Sequence, residues 1–174
     1  MWYNNWGLVS CTAEDGGSGL ASCNVSGYSA SIGQQILTAT ATDKVGNSST
    51  STLSYEVKAW TLKGFYEPVN TNGVYNSVKG GSTVPLKFEV FAGPTELTDV
   101  AYVKPLTAVQ ISCNDSAFVD EIEMTTAGGT SLRYDSTGGQ FIYNWKTPIG
   151  AGKCYRVTLT TQDGSNLAAF FKMK

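Results

Sequence analysis

The sequence predicts an all-β protein built as two tandem antiparallel β-sandwich domains. Short segments alternate apolar and polar residues at period two, as in Val84, Leu86, Phe88 and Val90 against Pro85, Lys87 and Glu89. Turn signals separate such segments at close intervals, among them "EDGGSG", "KVGN", "STGG" and "DGSN". Long helical patterns are nearly absent, and charged residues are only 15%, below the ~25% of an average globular protein.

Taken in order, "LVSCTA" predicts a strand, "EDGGSG" a turn and "LASCNV" a second strand. "QQILTATATD" follows, with Ile36 beside Leu37, then Ala39 and Ala41 at period two. "KVGN" turns the chain, with Gly46 and Asn47 as the residues that tolerate positive φ. "STSTLSYEVK" is the return strand, placing Leu53, Tyr55 and Val57 on one face. The span 1–58 is short for a sandwich, so the expectation is a domain that lacks its first strand.

The character changes at "AWTLKGFYEPV", where Trp60, Leu62, Phe65 and Tyr66 bring bulk and Pro68 ends the run. The domain boundary is therefore expected near Lys58, with the second domain covering 59–174. Its strands are "VPLKFEVF", then "LTAVQISC" with Leu106, Ala108 or Val109, and Ile111, then "VDEIEMTT" with Ile122 and Met124. "SLRYD" and "QFIYNWKT" flank the glycine-bearing "STGG" loop as a hairpin. In the second of these, Phe141, Tyr143 and Trp145 share a core face, and Ile142, Asn144 and Lys146 share the other. "KCYRVTLTTQ" alternates Tyr155, Val157 and Leu159 against Arg156, Thr158 and Thr160, and "DGSN" turns into "LAAFFKMK".

Composition removes several functions. Net charge is −2 with no basic run, so no nucleic-acid partner is expected. No apolar run approaches the ~20 residues of a membrane span, and no signal peptide opens the chain. The expectation is an excerpt of a longer secreted protein with any leader upstream. Histidine is absent, which excludes Ser-His-Asp and Cys-His catalysis and His-containing zinc sites. Neither enzyme activity nor a cofactor is expected.

Cysteines stand at 11, 23, 113 and 154, and none forms a C-x-x-C pair. Three pairings are arithmetically open, as are four buried free thiols. One bridge per domain gives Cys11–Cys23 and Cys113–Cys154, which points to an oxidising, extracellular compartment.

"CTAEDGGSGLASC" followed by "TATATDKVGNSSTSTLSYEV" resembles a bacterial immunoglobulin-like repeat of the kind strung along secreted proteins. The resemblance covers most of 1–58, without the usual lead-in before Trp2. The second domain resembles the PxKF family, named for Pro85-Leu86-Lys87-Phe88. "GFYEPV", "NSVKGGSTVPLKFEV", "SLRYDSTGGQFIYNWKT", "GKCYRVTL" and "QDGSNLAAFFKMK" extend that likeness over nearly all of 60–174. Such domains sit at the C-terminal end of large secreted bacterial proteins, often after immunoglobulin-like repeats. The resemblance implies two immunoglobulin-like sandwiches and no catalytic residues.

Each candidate site has a structural alternative. Lys87 lies on an outer strand face with its stem over apolar surface, and Pro85 marks an edge or bulge. Alternatively Lys87 joins Asn144 in an isopeptide bond promoted by Glu89 or Glu123. Trp2, Tyr3, Trp6, Trp60, Tyr66, Tyr75, Tyr143 and Trp145 are core and domain-interface rings, or a platform for sugars in which Trp60, Tyr66 and Tyr75 lead. Glu121 and Glu123 share one strand face, which suits a solvated edge better than a glycosidase pair. Glu14, Asp15, Asp43 and Asn47 offer loop oxygens to calcium, but no D-x-D-x-D-G loop is present, and Asp43 also fits as a turn cap. The N-x-S/T matches at Asn24, Asn47 and Asn114 read as chance.

The expected function is a non-catalytic spacer, stabiliser or anchor at the end of a large secreted protein. The alternatives are a carbohydrate- or cell-wall-binding module and an isopeptide-linked adhesin domain. Expected partners are upstream domains of the same polypeptide and polysaccharide or wall, with the chain itself a monomer.

Overall fold

A computed structural model describes residues 9–114, the backbone of 119–121, and residues 131–174. Trp2, Tyr3, Trp6, Ile122, Glu123 and Met124, and the side chain of Glu121, lie outside the described residues. The fold is all-β, and the chain divides into two compact units, Met1–Ala59 and Trp60–Lys174.

Among its described residues the first unit is one antiparallel sheet of β1 (Leu20–Ser26), β2 (Gly33–Asp43) and β3 (Ser48–Val57), in that order. The β2–β3 register runs unbroken from Gly33↔Val57 to Thr42↔Ser48, whereas β1 slips against β2 between Leu20 and Ser22. Period two sorts the side chains. One face carries Leu37 opposite Leu53, and Ala39 between Val25 and Ser51. The other pairs Thr38, Thr40 and Thr42 with Thr52, Thr50 and Ser48. Leu37 and Val57 are its buried apolar side chains among the described residues. The Tyr55 hydroxyl donates to the Ser29 carbonyl at 2.9 Å and accepts from the Ser29 amide at 2.8 Å, fastening the β1–β2 loop to β3.

Two expectations are corrected here. Residues 9–13 of "LVSCTA" form no ladder; the Cys11–Cys23 bridge, not backbone pairing, holds this segment to the sheet. In the "KVGN" turn Gly46 takes φ 94°, but Asn47 stays out of the left-handed region and uses its side chain on Asp43 instead.

The second unit is a β-sandwich. Its strands are β4 (Thr61–Gly64), β5 (Tyr75–Val78), β6 (Thr83–Ala92), β7 (Thr95–Glu96), β8 (Thr107–Ile111), β9 (Val119–Glu121), β10 (Leu132–Asp135), β11 (Gln140–Lys146), β12 (Cys154–Thr160) and β13 (Asn166–Met173), with a short 3-10 helix at Val100–Tyr102. One sheet runs β10-β11-β6-β4 with β7 beside β6; the other runs β8-β12-β13-β5-β9. The pairings β13–β5 and β5–β9 are parallel, which the antiparallel expectation did not include.

Val84, Leu86, Phe88 and Val90 of β6 are fully buried, as the alternation requires. Phe88 stacks on Phe141 at 5.2 Å and meets Phe65 edge-on at 6.3 Å. Trp145 of β11 packs against Phe171 of β13 at 4.8 Å, closing the core between the sheets. Gly64 lets β4 approach β6: its φ is +116°, and a Cβ there would stand 2.7 Å from the Lys87 carbonyl oxygen.

The split of β11 into a core face and an outer face is only partly right. Ile142 and Asn144 are buried, at 9% and 4% exposure, while Tyr143 is half-buried. Ile142 lies between Lys87 and Arg133 in register, where two long stems cover it. Tyr143 lines an apolar cleft of about 260 Å³ with Val103, Leu106, Leu132 and Leu159, which keeps its ring partly open.

Candidate functional site

The outer face of β6 gathers most of the chemistry. Pro85 pairs with Asn144 on one side and lies past the end of β4 on the other, so its missing N–H leaves no ladder bond unmade. Lys87 is half-buried and stands opposite Ile142, which makes it a diagonal neighbour of Asn144 on one face. Glu89, two residues on, accepts a hydrogen bond from the Tyr66 hydroxyl. Burial, and then that bond to Glu89, push the Tyr66 phenol up to about 12. Lys63 lies opposite Glu89 on β4 and places its ammonium 4.2 Å from the centre of the Phe91 ring. Tyr134 donates to Glu96 at 2.7 Å, and that bond is the main reason its phenol also rises to about 12.

The proposed sugar-stacking trio does not assemble. Trp60 and Tyr75 are buried, at 4% and 5% exposure. Trp60 packs edge-on against Tyr102 at 5.4 Å, and Tyr75 packs against Phe170 at 5.7 Å. Their rings fill the core and offer no face to a sugar; Tyr66, at 36% exposure, is the open one of the three.

The calcium candidates are turn staples. Asp15 accepts from the amides of Gly17 (3.1 Å) and Gly19 (2.6 Å) and from Ser18 Oγ (3.0 Å). Asp43 accepts from the amides of Val45 (2.9 Å) and Asn47 (2.8 Å) and from Asn47 Nδ2 (2.7 Å). Gly17's amide bond does most to hold Asp15 below the usual carboxylate range, and Asn47's side chain does most for Asp43. Asn47 therefore turns its amide nitrogen, not its oxygen, toward the acid. No group of three or more Cys, Asp or Glu side chains among the described residues could hold a metal ion. Both acids line an open cleft of about 500 Å³ with Cys11, Leu20, Cys23 and Ser49.

One acid went unnoticed in the sequence. Asp163 accepts from the Trp60 amide (2.7 Å), Thr161 Oγ1 (2.5 Å), Ser165 Oγ (2.7 Å) and the Ser165 amide (3.0 Å). "DGSN" marks a turn, but nothing local shows that this turn also fixes Trp60, 103 residues away. Burial alone pushes the Asp163 carboxyl up, and the bonds from Thr161, Trp60 and Ser165 outweigh it and hold it below the usual range. A depressed folded-state pKa adds stability above the unfolded value of ~3.9, and that stability is lost as pH falls through the folded value. Asp163→Asn is therefore expected to destabilise the second unit by about 1–2 kcal/mol at pH 7, since the site is partly solvated. Urea midpoints of the two proteins should converge as pH falls below the ordinary carboxylate value of ~3.9. A gap that persists unchanged at low pH would exclude a charge-dependent role.

The disulfides join Cys11 to Cys23 and Cys113 to Cys154. The second ties the segment after β8 to the start of β12. No helix among the described residues is long and apolar enough to cross a membrane. No protein-family model matches the chain, and no curated protein matches it either.

Proposed function

We propose that the chain is a non-catalytic accessory region of a large secreted protein, acting as a spacer and stabiliser for a neighbouring part. The observation that carries this reading is the use made of its perturbed carboxylates. Asp15 and Asp43 each spend their oxygens on three donors of a tight turn, and Asp163 spends its own on three donors of its turn and on the Trp60 amide. Their chemistry closes loops and leaves little for a substrate. One disulfide in each unit supports an oxidising compartment.

The family reading remains part of this proposal: a bacterial immunoglobulin-like repeat followed by a PxKF-type domain. The strand order of the second unit supports an immunoglobulin-like sandwich for the PxKF-type domain. β4-β6-β11-β10 against β8-β12-β13 reproduces the ABED and CFG sheets of a constant-type sandwich.

The test is protease resistance. Proteolysis tracks the open population when reclosing is fast, so losing ~3 kcal/mol of bridge stabilisation raises cleavage about 100-fold. The oxidised chain should survive an extracellular protease that degrades the reduced chain. Equal, rapid cleavage of both would overturn the spacer reading. The glycan-binding alternative rests on Tyr66 and requires array binding that Tyr66→Ala abolishes. The isopeptide alternative rests on the diagonal placement of Lys87 and Asn144 and requires an intact mass lower by one ammonia.

A further inference from the structure

Trp60 is the first residue of the second unit, and it is held at three points. Its amide donates to Asp163 at 2.7 Å, and its buried ring meets Tyr102 edge-on. Its carbonyl oxygen lies 3.1 Å from Ser165 Oγ, a hydroxyl whose single proton is shared between that carbonyl and Asp163. Asp163 and Ser165 belong to the turn between β12 and β13. The turn is closed on itself by the Thr161 amide on the Ser165 carbonyl (2.9 Å) and the Gly164 amide on the Thr161 carbonyl (3.0 Å). It is also tied to the 3-10 helix. The Gln162 amide donates to the Tyr102 carbonyl at 2.9 Å, and the Gln162 side chain donates to the Ala101 carbonyl at 3.2 Å. The turn is therefore a fixed post, and the backbone of Trp60 is fastened to it across 103 residues of sequence.

The post and Lys174 stand at opposite ends of the strands. Thr61 pairs with Phe91, near the end of β6. β13 finishes beside Val78, the last residue of β5, and Lys174 bonds Val78 and Gly80 on the way to the start of β6. A pull between Trp60 and Lys174 thus runs along the strands. Ladder bonds lie across that direction, so they resist it together rather than one at a time. Two routes exist for such a pull. Through β4 it reaches β6 by four pairs, the last of them at Gly64. Through the post it enters the turn that begins β13 and leaves at the end of the same strand. β13 is the stronger carrier, with eight residues, seven pairs to β12 and four to β5. The bond from Trp60 to the post ends on a carboxylate, which makes it about twice as strong as a neutral one.

We propose that the fastening of Trp60 to Asp163 and Ser165 is a tension clasp. It passes a pull arriving from the first unit into β13 and keeps β4 from being stripped off β6. This deepens the spacer reading and rests on it, since a spacer transmits pull between its neighbours. Protease resistance and the clasp are read by different experiments, so either can fail alone.

The test holds the oxidised full chain between two handles at constant force and records the unfolding rate of the second unit. All four cysteines are bridged, so added thiols are the only attachment points. Lys58→Cys with Lys174→Cys pulls through Trp60. Ser136→Cys with Lys174→Cys pulls from the exposed β10–β11 turn, which lies at the same end of the strands as Trp60 but leaves the clasp out of the path. Asp163→Ala should speed unfolding in the first geometry by a factor about tenfold larger than in the second, the worth of one bond to a charged group. Ser165→Ala should show the same inequality at smaller size. An acid that merely stabilises the fold speeds both geometries by one factor. Equal factors for Asp163→Ala would overturn the proposal; if that variant does not fold, equal factors for Ser165→Ala overturn it in the same way.

Discussion

Phe88→Ala is expected to destabilise the second unit by about 3–5 kcal/mol, the range for emptying a buried aromatic site. Phe88 is fully buried on β6, opposite Phe141 of β11 on one side and Gly64 of β4 on the other. Its ring stacks on Phe141 at 5.2 Å and 16° and receives the edge of Phe65. Truncation removes both contacts at once. The surrounding side chains belong to strands paired on either side, so they relax poorly and a void remains. Lys87→Ala, one residue earlier, is the control. Lys87 points to the outer face and is half-buried, so the loss is a few methylenes over Ile142, about 1 kcal/mol or less. Urea unfolding with an unchanged slope separates the two. A loss below about 1 kcal/mol for Phe88→Ala would mean the motif's phenylalanine does not anchor the core.

This contrast also shows which parts of the protein could be read from its sequence. Alternation along β6 and β12 is a local signal with a local consequence, and the faces follow from it. Turns behave likewise: Asp43, which the sequence marks as a turn cap, accepts from the amides of Val45 and Asn47 within four residues. β4, β5 and β7 escaped because four-, four- and two-residue strands are too short to display a period. The parallel addition of β5 to β13 is a choice of partner, and no segment states its partner. Alternation places Asn144 opposite the core face, but it sets only direction, and the burial of Asn144 depends on which neighbours cover that direction. Trp60 and Tyr75 fit either a core or a sugar platform in the sequence for the same reason. A tyrosine or tryptophan has identical letters in a core and on a platform, and only the fold separates Tyr66 from the other two.

The two disulfides are expected to differ in importance in the opposite order to their loop lengths. In the chain-entropy picture the Cys113–Cys154 bridge, spanning 41 residues, contributes ~4 kcal/mol, and Cys11–Cys23, spanning 12, contributes ~3 kcal/mol. What decides the outcome is the core each one supplements. The second unit buries Val84, Leu86, Phe88, Phe141, Val157, Leu159 and Phe171 between its sheets, together with Trp145. Paired alanine replacement of Cys113 and Cys154 should lower its stability by ~4 kcal/mol and leave it folded and cooperative. Among its described residues the first unit buries Leu37 and Val57, on a lone three-stranded sheet. A domain of that size sits near the limit of independent stability. Replacing Cys11 and Cys23 with alanine should therefore abolish its cooperative unfolding, although the nominal contribution of that bridge is smaller. Hydrogen exchange resolved by segment separates the cases. Amides of β2 should lose protection in the first variant pair, while those of β12 and β13 keep most of theirs in the second. Retained slow exchange in β2 without the Cys11–Cys23 bridge would show that the small sheet holds itself together by other means.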